Sequence, residues 1–336
     1  MNMPNLREKE MPEFTTPVSI QQSPFTIDYS SHIIFLGSCF AENIGSRMEE
    51  LKFRVCGNPF GVLYNPLSIA KSLQFLVTKK EFTPDDLSFQ NELWFSFNHY
   101  TLFSDIDKHR CLRNINESFE KAKSFIQQSA ILFITLGTSW VYQLKETGEI
   151  VSNCHKMPAS YFNRFFSSVE NSAEALIKGI EAVRTVNPDL GIVFTVSPVR
   201  HWKDGAINNQ RSKAALVLAI ARIQEKIENV YYFPAYEIFM DELRDYRFYA
   251  EDNIHPSPMA QKYLWGRFIR TFMTNDTISL IESVDKILLR IKHKPRFSKT
   301  DSHKNHIRKT MEMIKEIIKE YPNLNFEKEL DTLGKV

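Results

Sequence analysis

The sequence predicts an α/β fold, a parallel sheet of five strands covered by helices on both faces. Three observations support this. Short apolar runs recur along the chain, stretches of helical periodicity separate them, and the composition is that of a globular chain: 43% apolar, 24% charged and a formal net charge of +2 over 336 residues. A strand buried on both faces reads as a continuous apolar run, and strands alternating with helices give a parallel sheet.

Ile33–Leu36 is the first buried strand, and Ile44, Met48 and Leu51 mark one face of the helix after it. Phe53–Cys56, just before Gly57, is a second, shorter strand. Ile115, Phe119, Ala122 and Ile126 fall at helical spacing ahead of a third strand, Ile131–Leu136. Leu176, Ile180 and Val183 mark the helix before the fourth, Gly191–Val196. Leu216, Ile220, Ile223 and Ile227 mark the helix before the fifth, Val230–Phe233. Pro258 then opens a helix through Ala260, Leu264 and Phe268, since proline is tolerated in a first helical turn.

Two stretches break the rhythm. Phe82–Arg110 is rich in aromatics, and Trp140–Phe166 holds a hairpin with Thr147-Gly148 at its turn. Both follow core elements, which makes them insertions around the active edge. Several of the 26 phenylalanines, such as Phe95, Phe97 and Phe103, lie outside the periodic elements; core packing accounts for most of the 26, which leaves a minority to line a cleft. After Ile291 a basic stretch with Lys292, Lys294, Arg296, Lys299 and Lys304 precedes an amphipathic helix on Ile307, Met311, Ile314 and Ile318. A solvated peripheral helix accounts for it, and so does a surface that touches a membrane or a partner.

Composition excludes several classes of function. The near-neutral charge argues against nucleic acid as a partner, and no apolar run reaches membrane-spanning or signal-peptide length. Cys39, Cys56, Cys111 and Cys154 show no CxxC spacing, so free thiols in a cytoplasmic protein are expected. His99, His155 and His201 have neither HxxxH nor HxH spacing, and neither metal nor cofactor is expected.

The chemistry gathers in two remote segments. Gly37-Ser38 lies just past the end of the first strand, where ligands of doubly wound sheets collect. Ser38 is there a candidate nucleophile, or only the cap of the next helix. Near the other end, Asp252-Asn253-Ile254-His255 places a carboxylate three residues before an imidazole. On a turn, Asp252 can hold one ring nitrogen of His255 while the other faces Ser38. Cys39 is expected to pack beneath the turn. Arg200, His201, Ser212 and Lys213 follow the fourth strand and are candidates to hold a polar or anionic part of a substrate, with Ser212 alternatively capping a helix.

Gly37-Ser38-Cys39-Phe40-Ala41 reproduces the letters that name the GSCFA family, a bacterial group similar to the SGNH (GDSL-like) hydrolases. The resemblance runs from about Phe25 to Phe272 through Asn58-Pro59-Phe60-Gly61, Tyr64-Asn65-Pro66, Leu136-Gly137-Thr138, Asn153-Cys154-His155-Lys156, Ser197-Pro198-Val199-Arg200-His201 and Asp245-Tyr246-Arg247-Phe248-Tyr249. It implies a three-layer α/β/α, flavodoxin-like domain over 25–275, with an extension at 1–24 and a helical appendage at 276–336. It further implies a nucleophile at Ser38, a base at His255 and an orienting acid at Asp252, acting on ester-linked acyl groups of a small molecule or carbohydrate. Hydrolysis and transfer to a sugar hydroxyl share that first half, and a catalytically silent binding module on the same fold is the rival reading. The oxyanion hole implied by the resemblance draws on the amide of Ser38 and on Gly57, with Asn58 beside it. The third block, Gly137-Thr138-Ser139, lacks the asparagine of the pattern, and Asn153, or else Thr138 or Ser139, takes its place. His155 is an alternative base or a substrate contact. Oligomeric state is left open.

Overall fold

The computed structural model describes residues 15–293, 295–297 and 300–334. Lys294 and Lys299 of the basic stretch, and the part of the extension before residue 15, lie outside the described residues. Five strands form the central sheet: β1 (His32–Gly37), β2 (Arg54–Gly57), β5 (Ile131–Leu136), β9 (Gly191–Val196) and β10 (Val230–Tyr232). Their order is β10-β9-β5-β1-β2 and every pairing is parallel. That is the flavodoxin-like order, and it puts a switch point between β1 and β5.

Alternation along each strand sorts the core into two layers. Ile33, Phe35, Ile131, Phe133 and Val193 face one side, and Ile34, Leu36, Leu132, Ile134, Ile192 and Phe194 face the other. The second face is covered by α2 (Pro66–Thr78), α3 (Lys108–Gln128), α4 (Val169–Arg184) and α5 (Gly205–Lys226). The first is covered by α1 (Cys39–Glu50) and α7 (Pro258–Phe272), joined near β10 by the short α6 (Ala235–Glu237) and a π-helical turn, Ile238–Glu242. Helix α2 has no counterpart among the expected elements. Its signal is Asn65-Pro66, a side-chain cap on the amide of Ser68 followed by proline at the helix start.

Both interruptions are small antiparallel units. The first carries β3 (Ser88–Gln90) and β4 (Leu93–Phe95), and the second β6 (Trp140–Leu144), β7 (Ile150–Val151) and β8 (Phe162–Phe166), in the order β7-β6-β8. The expected hairpin is present, with Gly148 at a positive φ of 72° in its turn.

The last three helices, α8 (Asn275–Lys292), α9 (Asp301–Glu320) and α10 (Glu327–Gly334), continue the first core layer. Val284, Ile314 and Phe326 are buried in the same cluster as Met48, Leu51 and Phe53. A solvated peripheral helix is therefore not what α9 is: its apolar stripe is packed against the domain. No described helix is long and apolar enough to cross a membrane.

Candidate active site

The turn after β1 is built for close approach. Gly37 has a φ of +135°, and a Cβ there would lie 2.2 Å from the Thr135 carbonyl oxygen. Only glycine fits this combination of backbone angle and neighbour. Asn58 Oδ1 accepts the amide of Gly37 at 2.9 Å, and the amide of Leu63 donates to the Gly37 carbonyl at 2.9 Å. Ser38 emerges from this frame at the N-cap of α1, only 2% exposed. Its Oγ accepts from the amide of Phe40 at 3.4 Å, a long capping bond. Its own amide donates to Thr135 at 3.1 Å, so in this structure the first oxyanion donor expected of the site is occupied by the sheet.

The second segment folds back as a tight loop. The amide of Ala250 donates to His255 and that of Asn253 to Ala250, with Asn253 at a positive φ of 56°. Asp252 Oδ1 accepts the amides of Ile254 and His255 at 2.9 and 3.0 Å, and Oδ2 meets His255 Nδ1 at 2.6 Å. Those bonds, the His255 amide first and its ring second, lower the Asp252 pKa to about 2. The carboxylate is thus an acceptor across the neutral range. With Nδ1–H donated to it, the Nε2 lone pair is the free one.

Ser38 and His255 line one cavity of about 430 Å³ at the carboxyl edge of the sheet. No hydrogen bond joins the two side chains among the described residues. Thr138, Asn153, Arg200 and His201 line the same cavity. Thr138 Oγ1 lies 3.1 Å from Ser212 Oγ, and Asn153 bonds Thr101 through Nδ2 at 3.0 Å. Asn153 also accepts the amide of His155 at 2.9 Å, so it is a turn residue and a wall residue at once. Burial, then the charges of Lys213, His255 and Arg164, lowers the His201 pKa to about 3 and keeps that ring neutral.

Other expected residues stand elsewhere. Gly57 and Asn58 do not line the cavity; Asn58 braces the Gly37 turn from behind. His155 is stacked on Phe95 at 4.2 Å with Nε2 at 2.9 Å from the Ser96 carbonyl, behind the wall rather than on it. Lys213 is fully buried, donating to the carbonyls of Gly137 and Ser197 at 2.7 Å each, and burial lowers its pKa to about 7. Ser212 caps no helix. Helix α5 already starts at Gly205, so Ser212 falls mid-helix on the buried face and accepts the amide of Ser139 at 2.7 Å. Cys39 does not pack beneath the turn; it lines the cavity with its sulfur 3.7 Å from the Tyr64 hydroxyl.

Several wall residues are absent from the sequence-based expectations: Tyr64, Asn65, Tyr100, Arg164, Trp202 and Lys203. Tyr100 and Arg164 come from the two insertions, and their partners are set by long-range packing that no local pattern encodes. Arg164 pairs with Asp204 and lies 4.3 Å from the Trp140 ring centroid. Among the described residues no group of three or more His, Cys, Asp or Glu side chains is placed to hold a metal ion.

Comparison with known proteins gives two kinds of match. No curated protein sequence matches the chain. Among solved structures, an acetyl xylan esterase from the rumen bacterium Butyrivibrio proteoclasticus is 11% identical with a TM-score of 0.35, the match covering 73% of this chain and 64% of the esterase. A carbohydrate esterase family 3 protein from Talaromyces cellulolyticus is 10% identical with a TM-score of 0.32, covering 75% of this chain and 98% of the other. Family models are more direct: the model described as GSCFA family matches residues 32–268, and that of the GSCFA domain protein C-terminal domain matches 284–335. With most of its length matched, the chain belongs to the GSCFA family.

Proposed function

We propose that the protein is a serine-dependent acyl-ester hydrolase of SGNH type, working through an acyl-Ser38 intermediate. The observation that carries this reading is that Ser38 and His255, 217 positions apart in the chain, line one cavity, with His255 already held by Asp252 at 2.6 Å. His255 Nε2 takes the Ser38 proton as Oγ attacks the acyl carbon, and returns it to the departing alcohol oxygen. Asp252 keeps the ring in the required tautomer and stabilises the imidazolium. Water then enters, is deprotonated by His255 and releases the acid; a sugar hydroxyl in its place makes the reaction a transfer. The developing oxyanion draws on the N-terminal end of α1 and on Asn153, since the Ser38 amide is engaged with Thr135.

That engagement also favours a second reading, a binding module that keeps the cavity without turnover. A fluorophosphonate probe separates the two. Labelling of the native protein that vanishes in Ser38→Ala, together with a loss of at least ~10³-fold in p-nitrophenyl ester turnover, is the expected result. Native protein that neither labels nor turns over any ester of a chain-length series would leave the binding module.

A further inference from the structure

The cavity is cationic on one side. Arg164, Arg200 and Lys203 line it, and among the described residues one carboxylate does, Asp204, which Arg164 already engages. Among the described residues no carboxylate pairs with Arg200 or Lys203. An arrangement of this kind raises the local potential and favours an anion in the cavity.

Arg200 is held for the task. Its guanidinium lies 4.4 Å from the ring centroid of Tyr249 and 5.0 Å from that of Trp202, and its Nη2 donates to the Asn253 carbonyl. Its Nε is buried with no partner among the described residues. A guanidinium stacked on two rings and tied by Nη2 has little freedom left to lose when its exposed edge meets an acidic oxygen.

Its position says which part of a substrate it meets. In acyl transfer the histidine must return its proton to the leaving oxygen, so the alcohol portion departs beside His255. Arg200 is tied to that same loop, through Asn253 by its side chain and through Ile254 by its amide at 3.4 Å. The geometry points to an ester whose alcohol portion is acidic, a carboxylate- or phosphate-bearing sugar or polyol, with Arg200 and Lys203 as the residues that recognise the charge. This inference rests on the proposed ester chemistry only for the side of the bond on which the charge lies.

Binding to Ser38→Ala tests it without turnover. The probes are the monoacetates of methyl glucuronoside, glucose 6-phosphate and methyl glucoside, measured by calorimetry at low and moderate salt. At least one acid is expected to bind about tenfold or more tightly than the neutral glucoside, with the advantage shrinking as salt rises. The better of the two acids identifies carboxylate or phosphate as the recognised group. Adding Arg200→Gln should abolish the advantage, and adding Lys203→Gln, at an exposed position that does not endanger folding, should reduce it. Equal binding of all three probes overturns the inference, and so does an advantage that survives both substitutions. Failure of the ester chemistry itself would show separately, as absence of probe labelling and turnover in the native protein.

Discussion

Asp252 and His255 form a half-exposed pair, 46% and 48% accessible at the side chain, so solvent screens their attraction and their value is orientation rather than stability. Asp252→Asn keeps the size and loses the acceptor; kcat for ester cleavage should fall by roughly 10²- to 10⁴-fold with KM little changed, read from steady-state kinetics. The sign of the acid effect follows from the lowered pKa. A carboxylate at about 2 when folded and 3.8 otherwise contributes above pH 3.8 and loses that contribution as pH falls through about 2. A decline of activity near neutrality therefore does not belong to Asp252. Gly37 is the complementary case, where shape matters and charge does not. Gly37→Ala places a Cβ 2.2 Å from a main-chain oxygen at a positive φ and is expected to cost at least ~2 kcal/mol in denaturant unfolding. It should also lower labelling of Ser38, because the turn cannot shift without moving the hydroxyl.

Among the helices, α8 and α9 pack into the first core layer. Ile314 is fully buried among residues of α8 and of the first core layer. Ile314→Ala should cost about 2 to 5 kcal/mol in chemical denaturation while leaving kcat/KM per folded molecule unchanged, since nothing on α9 reaches the cavity. Removal of everything after Ile291 would uncover that layer, and the soluble yield of the truncated chain should fall accordingly. The aromatic insertion carries its own liability. His99 is fully buried among Phe60, Phe82 and Phe103 with neither ring nitrogen bonded among the described residues, and burial lowers its pKa to about 3. Unfolded chain binds that proton at about 6.5 and folded chain only near 3, so stability is lost as pH falls from about 6.5 toward 3. His99→Phe removes an unsatisfied polar group and should flatten this part of the pH dependence while raising the melting temperature at pH 5, measured by thermal melts across pH 4 to 7.

The sheet as a unit brings remote loops to one edge. Its strand order places the end of β1 beside the end of β5, and Lys213 ties β5 to β9 by bonding a carbonyl just past each. The loop after β9 is then tied to the Asp252–His255 loop through Arg200. This chain of bonds links the edge beside Ser38 to the loop of Asp252 and His255. Much of the frame is legible in the residues alone: the apolar runs match all five strands to within two residues of their ends, because a continuous apolar run of that length has few other uses. Helices α2 and α8 are harder to see although their caps, Asn65 and Thr274, are plain in the sequence, since α2 starts well past the end of β2 and α8 follows a helix rather than a strand.

Near neighbours along the chain are enough to dictate the alternation that sends Ile33 and Phe35 to one face and Ile34 and Leu36 to the other, a glycine-serine turn, and a carboxylate three residues from an imidazole. Which side chains share a cavity is settled by packing instead. Lys213 and Arg200 look alike as cations after a strand. Helix α5 begins at Gly205, ahead of the apolar pattern that marks it, and so turns Lys213 into the core, while Arg200 stays in the loop and reaches the cavity. How far a helix extends beyond its apolar pattern and how a loop packs depend on contacts between residues far apart in the chain, and these no short pattern records.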